Sequence, residues 1–92
     1  MDVRTAREAG KAAVEIITEL IPEAKYAALE GIESNDEINS WDVVVGYVLS
    51  SDIPQTALAT LSSNQGRRTY KLIVLDKTTL ELQKMEPYHV GA

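Results

Sequence analysis

The chain has 92 residues, 45% of them hydrophobic and 25% charged, and its formal net charge is −5. This length suits one domain with a single core, and the negative charge disfavours binding to nucleic acid through bulk charge. The absence of cysteine excludes disulfides, thiol catalysis and thiolate metal sites. The N-terminal stretch has scattered charges and no long apolar run, so we expect a cytoplasmic protein without a membrane span.

The N-terminal region is predicted to form one amphipathic helix over residues 3–21. Apolar residues recur there at spacings of three and four, which places them on one face. They are Val3, Ala6, Gly10, Ala13, Val14, Ile17, Leu20 and Ile21. Asp2 is one possible N-cap, and Thr5 with Glu8 has the spacing of a capping box, so the first turn stays open. Pro22 ends the helix, because a residue before proline is disfavoured in the α region.

After the helix, the hydrophobic period changes to two, which is typical of β-strands. Strands are predicted at about 25–33, 41–50, 69–76 and 79–86. The first contains Ala and Gly, which are poor strand formers, and is expected at an edge. The second is mostly apolar on both faces and is expected in the centre.

The predicted connections are a loop at 34–40, a long loop at 51–68, and a turn from Asp76 to Thr79. The last strand has one mostly polar face, which suits a sheet with a helix on one side and water on the other. The sequence therefore predicts an α+β domain over residues 1–92, with one N-terminal helix packed across a three- to four-stranded antiparallel sheet.

Two patterns resemble known families. In the last hairpin a strand ends in Asp and a turn leads to a Glu-containing strand, through Tyr70, Leu72, Val74, Asp76, Thr79, Leu80, Glu81 and Leu82. With the preceding helix, this hairpin resembles the helix-on-sheet domains of PepSY-like and cystatin-like proteins, although Thr79 stands where many such turns have glycine.

The second pattern spans residues 29–82 and consists of Trp41, Ile53, Pro54, Leu58, Ala59, Tyr70 and Asp76. It resembles the gas vesicle protein O family, and this resemblance implies an accessory protein of a gas-vesicle-like assembly. Residues 61–68 look like an insertion relative to that family, and its basic, aromatic C-terminal tail is missing from the sequence. Neither resemblance supplies a catalytic residue.

The residue inventory disfavours catalysis. The single histidine, His89, has no cysteine to activate, and the sequence contains neither Gly-x-Ser-x-Gly nor a glycine-rich phosphate loop. We therefore predict that the protein is not an enzyme and uses no cofactor. The alternative, a small-ligand-binding domain or an enzyme, would need a deep apolar pocket between helix and sheet with converging polar groups.

Acidic residues are concentrated in the first half of the chain. Residues 1–46 contain ten acidic and four basic residues, whereas residues 47–92 contain four and five. Residues 30–42 include no base and hold the five acids Glu30, Glu33, Asp36, Glu37 and Asp42. Oxygen ligands crowd part of this segment as calcium requires, but the glycine and distal glutamate of an EF-hand are missing, so no metal site is predicted.

Such an acidic segment is commonly a solvated loop, and the functional alternative is a docking surface for a basic partner. Arg67 and Arg68 are candidates to meet an acidic neighbour, including the acidic loop of another copy. The outer face of the sheet still offers Tyr, Val and Leu side chains, which can pair with another surface. The predicted function is a non-catalytic protein-interaction module that binds a protein partner or itself.

Overall fold

The computed structural model describes residues 3–50 and 68–89. They form one helix and four strands: α1 (Ala6–Leu20), β1 (Ala24–Asn35), β2 (Ser40–Leu49), β3 (Arg68–Asp76) and β4 (Leu82–Pro87). The strands make one antiparallel sheet in the order β1-β2-β3-β4. The prediction of an α+β fold with an N-terminal helix on an antiparallel sheet is confirmed. Of the predicted long loop at 51–68, Arg68 belongs to β3 and the rest lies outside the described residues.

The capping box determines where α1 begins. The Thr5 hydroxyl accepts a hydrogen bond from the Glu8 backbone N–H at 3.1 Å, and the Glu8 carboxylate accepts one from the Thr5 N–H at 2.9 Å. These two bonds satisfy N–H groups that have no partner inside the helix. Thr5 is therefore the N-cap, and α1 begins three residues later than the predicted start at residue 3. At the other end Ile21 is the C-cap, directly before Pro22.

The core lies between α1 and one face of the sheet, here called the inner face. Ala9, Ala13 and Ile17 are fully buried at helical spacing, and their small or aliphatic side chains let the helix approach the strands closely. The sheet contributes five buried residues, Val43, Val45, Tyr47, Ile73 and Leu75. The predicted helix stripe was too long. Val3 precedes the helix and Leu20 is its last residue, and they are 54% and 55% exposed.

Strand β1 lies at an edge and β2 is central, as their compositions predicted. β1 is longer than the predicted 25–33, because Ser34 and Asn35 pair with Trp41 and Ser40 of β2. The predicted loop at 34–40 therefore shrinks to a short turn. Two register shifts interrupt the pairing of β1 with β2, and Tyr26 within the first has a φ of 56°. Bulges of this kind twist an edge strand and discourage pairing with a further strand.

The β3–β4 connection is longer than predicted, and β4 begins at Leu82 rather than at residue 79. Asp76 Oδ1 accepts hydrogen bonds from the N–H groups of Thr78 and Thr79, at 2.8 and 2.9 Å. This arrangement folds the backbone back on itself, as Asp does in turns. Leu80 then adopts a φ of 62°, which is incompatible with a strand. The alternating sequence after Thr79 predicted a strand there, but the turn formed by Asp76 extends into these residues.

Ile17→Ala is expected to lower the free energy of unfolding by about 2 to 5 kcal/mol, because Ile17 is fully buried and its removal leaves a cavity. Leu20→Ala, in the same helix but exposed, is the matched control and should change it by less than about 1 kcal/mol. Urea denaturation of both variants tests the assignment of the buried helix face. A larger effect for Leu20→Ala would contradict it.

Candidate functional site

The face of the sheet opposite α1, here called the open face, is the candidate site. Its centre is a cross-strand row of Gly31, Val44, Leu72 and Glu86, one residue from each strand. Within residues 3–50 and 68–89 the helix packs on the inner face, and no second helix covers the open face. Val44 and Leu72 are half-buried there, so an apolar centre stays accessible.

A shallow hollow lies above Gly31 and Val44. Its volume is about 390 Å³, and Leu72 and Tyr88 border it together with the carboxylate residues Glu33 and Asp42. A methyl group added at Gly31 would meet no atom within 4 Å, so the missing side chain leaves real space. The hollow is open to solvent and lies on the sheet surface. It suits contact with another protein surface better than enclosure of a small ligand.

Tyr70 borders the apolar centre and is held in place by Gly46. A Cβ atom at Gly46 would lie 2.9 Å from Tyr70 Cε1 and 3.0 Å from Arg68 Nη2. Both side chains therefore lie across the position where β2 has no side chain, an arrangement in which an aromatic ring covers a strand glycine. Tyr88 continues the pairing beyond β4, because its N–H donates to the Tyr70 carbonyl at 3.1 Å.

The acidic segment predicted as one docking surface is divided among four environments. Glu30 forms an ion pair with Arg68 of the same chain, with 3.2 Å between Glu30 Oε2 and Arg68 Nη2. Arg68 therefore meets an acidic residue inside its own domain. Glu37 is exposed in the β1–β2 turn, and Arg67 lies outside the part of the chain that the structure describes.

Asp36 is bound to a buried lysine. Lys77 is only 7% exposed, and its ammonium donates to Asp36 Oδ1 and Ser34 Oγ and lies 5.1 Å from the centroid of the Trp41 ring. The hydrogen bond from Lys77, followed by that from Ser34, lowers the pKa of Asp36 below its ordinary value. Asp36 is therefore part of a structural contact with Lys77, although its side chain is 87% exposed.

The Lys77 backbone extends this contact to the start of the chain. Its carbonyl accepts from the Arg4 N–H at 2.7 Å, and its own N–H donates to the Asn39 carbonyl at 3.0 Å. The Arg4 carbonyl in turn accepts from Trp41 Nε1 at 3.0 Å. The N-terminal segment and the two hairpin turns are joined at this one residue.

Glu33 and Asp42 are the acidic residues that belong to the open face. They are direct cross-strand partners on β1 and β2, and Val74 and Lys84 complete the same row on β3 and β4. Two like charges in this position destabilise a sheet. Among the described residues neither carboxylate has a salt-bridge partner, and Asp42 accepts one hydrogen bond, from Ser40 Oγ at 3.1 Å. An unfavourable pair kept beside an apolar centre is the most distinctive feature of this face.

The acidic turn does not collect its oxygens into a metal site. No group of three His, Asp or Glu side chains suited to a metal ion occurs in the described ranges. Asp36, the residue most central to such a site, bonds to Lys77 instead. Similarly, no helix in these ranges is long and apolar enough to cross a membrane.

Sequence reasoning missed three residues of this region: Lys77, Lys84 and Tyr88. Lys77 occupies a turn, where lysine is ordinarily solvated, and its partners Ser34 and Asp36 are about forty residues away in sequence. Lys84 is separated in sequence from the acidic pair that shares its row. Simple alternation groups Lys84 with Leu82, but a register shift between Val74 and Leu75 pairs Leu82 with Leu75 and Lys84 with Val74. Lys84 therefore lies on the open face, which only the strand pairing reveals.

Comparison of the chain with protein-family models, with curated proteins and with solved structures gave no match. The resemblances to PepSY-like and cystatin-like domains and to the gas vesicle protein O family therefore stay predictions.

Asp36→Asn is expected to reduce the fall in the free energy of unfolding at acidic pH. The pKa of Asp36 is lowered from 3.8 in the folded protein, chiefly by the Lys77 hydrogen bond. The ionised group thus stabilises the fold fully above its unfolded pKa, and this contribution is lost as the pH falls through the folded pKa. Urea denaturation between pH 7 and about pH 3 should show a steeper loss for wild type than for Asp36→Asn. Parallel curves would contradict the contact.

Gly46→Ala is expected to destabilise the fold by about 1 to 3 kcal/mol, because the new methyl group would displace the Tyr70 ring. Gly31→Ala is the matched control, since its methyl group enters open space on the same face, and it should be neutral or slightly stabilising. Thermal and urea unfolding of both variants measure the difference. Equal costs would show that Tyr70 does not depend on Gly46.

Proposed function

We propose that the protein is a non-catalytic, cytoplasmic interaction module that binds a protein partner through the open face. The observation that carries the proposal is the Glu33–Asp42 pair beside the apolar centre of Val44 and Leu72. A basic group of a partner would neutralise the two carboxylates, and an apolar group would fill the hollow.

The edges of the sheet offer less to a partner than its face. β1 has two register shifts and a residue in the left-handed region, which disturb the regular row of N–H and C=O groups that an added strand needs. β4 is six residues long and ends at Pro87, which has no N–H. Binding by addition of a strand is therefore disfavoured, and binding to the face is favoured.

The apolar and the charged groups of the open face are expected to contribute to binding in different ways. The apolar centre supplies affinity, because its burial removes hydrocarbon surface from water. Exposed carboxylates contribute little to stability but speed the encounter with a basic surface, an effect that weakens as salt screens it. For a partner of positive net charge, the formal net charge of −5 adds to this attraction at longer range.

Neutralising Glu33 and Asp42 with the double variant Glu33→Gln/Asp42→Asn is expected to slow association with a basic partner. The rate should fall about two- to tenfold at low salt, and its dependence on salt should flatten. Asp36 is left unchanged because it bonds to Lys77. Partners recovered by affinity capture from the native host would be purified, and association rates would be measured by stopped-flow or surface binding across a salt series.

Glu15→Gln/Glu19→Gln is the matched control, because it makes the same change in net charge on the exposed side of α1. Because these residues lie away from the open face, the association rate should change only slightly. Leu72→Glu should abolish binding by placing a charge in the apolar centre. If both double variants behaved alike and Leu72→Glu bound normally, the open face would not be the binding surface.

A further inference from the structure

We infer that the open face binds a second copy of this chain, face to face, about a two-fold axis that runs parallel to the strands between β2 and β3. The inference rests on the proposed function, because it names the partner of the same surface. It follows from the distribution of charge and side-chain size across the four strands.

A two-fold axis in this direction preserves position along the strands and exchanges the two halves of the sheet. β1 of one copy then faces β4 of the other, and β2 faces β3. Each cross-strand row of the open face is thereby laid over the same row of the second copy in reverse order. Sheets that pack face to face keep their strands within about 30° of each other, which this arrangement satisfies.

The charged row is complementary to itself under this exchange. From β1 to β4 it reads Glu33, Asp42, Val74 and Lys84. Reversal places Lys84 of the second copy opposite Glu33 and next to Asp42, and the symmetry makes this contact twice. The cation that the acidic pair lacks among the described residues of its own chain would come from the second copy. Lys84 is free to turn toward it, because its pair with Glu86 is long, at 3.6 Å, and exposed.

The neighbouring row is complementary in size. It reads Gly31, Val44, Leu72 and Glu86, so its small residues lie on β1 and β2 and its large residues on β3 and β4. Reversal brings Leu72 of the second copy over Val44, at the hollow whose floor includes Gly31. Val44 and Leu72 meet near the axis, and Glu33, Lys84 and Glu86 lie on the outer strands toward the rim, as in typical interfaces.

The other two-fold arrangement in the plane of the interface is disfavoured. An axis perpendicular to the strands would keep each strand opposite itself. If it passed through the central row, Glu86 would face Glu86, and Glu33 would move opposite the β1 position of Ala28. That packing sets like charges together and leaves the acidic pair without a cation.

The available area fits a reversible dimer. Four strands about 4.8 Å apart and four rows about 6.8 Å apart give a patch of about 500 Å² per copy, or about 1,000 Å² in total. This is at the lower limit for a specific interface. We therefore expect dissociation on dilution rather than an obligate dimer.

Sedimentation equilibrium of the full chain from about 1 µM to 1 mM is expected to show a monomer–dimer equilibrium. Lys84→Glu should weaken the dimer by about tenfold or more at low salt, because it replaces two attractive contacts with two repulsive ones. The swapped variant Glu33→Lys/Lys84→Glu should restore the dissociation constant to within about threefold of wild type. Lys11→Glu, an equal charge change on the exposed side of α1, should have little effect.

Wild type that stays monomeric at 1 mM, or equal effects of Lys84→Glu and Lys11→Glu, would overturn the inference. Failure of the swapped variant to recover would overturn it too, provided that its urea denaturation shows an intact fold.

The same variants distinguish failure of this inference from failure of the proposed function. If the chain is monomeric but the Glu33→Gln/Asp42→Asn variant slows binding of a basic partner, only the second-copy inference is lost. If Leu72→Glu impairs neither dimerisation nor partner binding, the open face is not an interface and both are lost.

Discussion

The end of the molecule where the two hairpin turns meet depends on one buried cation, the ammonium of Lys77. A buried charge is costly unless it is paired and hydrogen-bonded, and here Asp36, Ser34 and the Trp41 ring compensate it together. Its backbone groups also bond to Asn39 and to Arg4, just before the helix. This contact ties the segment just before α1 to the sheet.

The helix covers only the inner face of the sheet, and the open face has different features. On the inner face Ala9, Ala13 and Ile17 close the core with the strands, so the helix covers this face of the sheet. The open face keeps an apolar centre at Val44 and Leu72 and the repulsive Glu33–Asp42 pair. A fold that already compensates the buried Lys77 so completely would gain stability from compensating these carboxylates too. This arrangement is the observation on which the proposed interface rests.

The five acidic residues of the segment 30–42 have different roles in the structure. Five acids that look equivalent in the sequence divide into an ion pair at Glu30, a buried-lysine contact at Asp36, an exposed turn residue at Glu37, and the open-face pair Glu33 and Asp42. Net charge over a window measures none of these differences, because burial and the nearest countercharge decide what each carboxylate does. The functional hypothesis therefore narrows from a loop to two residues on a sheet.

Periodicity and composition are local properties, and they predicted the helix, the segments of period two, the edge position of β1 and the central position of β2. The sequence also contained the capping box that starts the helix at Thr5, although Asp2 competed with it. Contacts between residues far apart in sequence could not be predicted in this way. Lys77 became a buried cation through partners about forty residues away, Arg68 met Glu30 across β2, and Lys84 came to share a row with Glu33 through the pairing of four strands. A one-residue slip in register reverses every side chain of a strand, so the row that defines the candidate site exists only once the bulges of β1 and the turn at Asp76 have set that register.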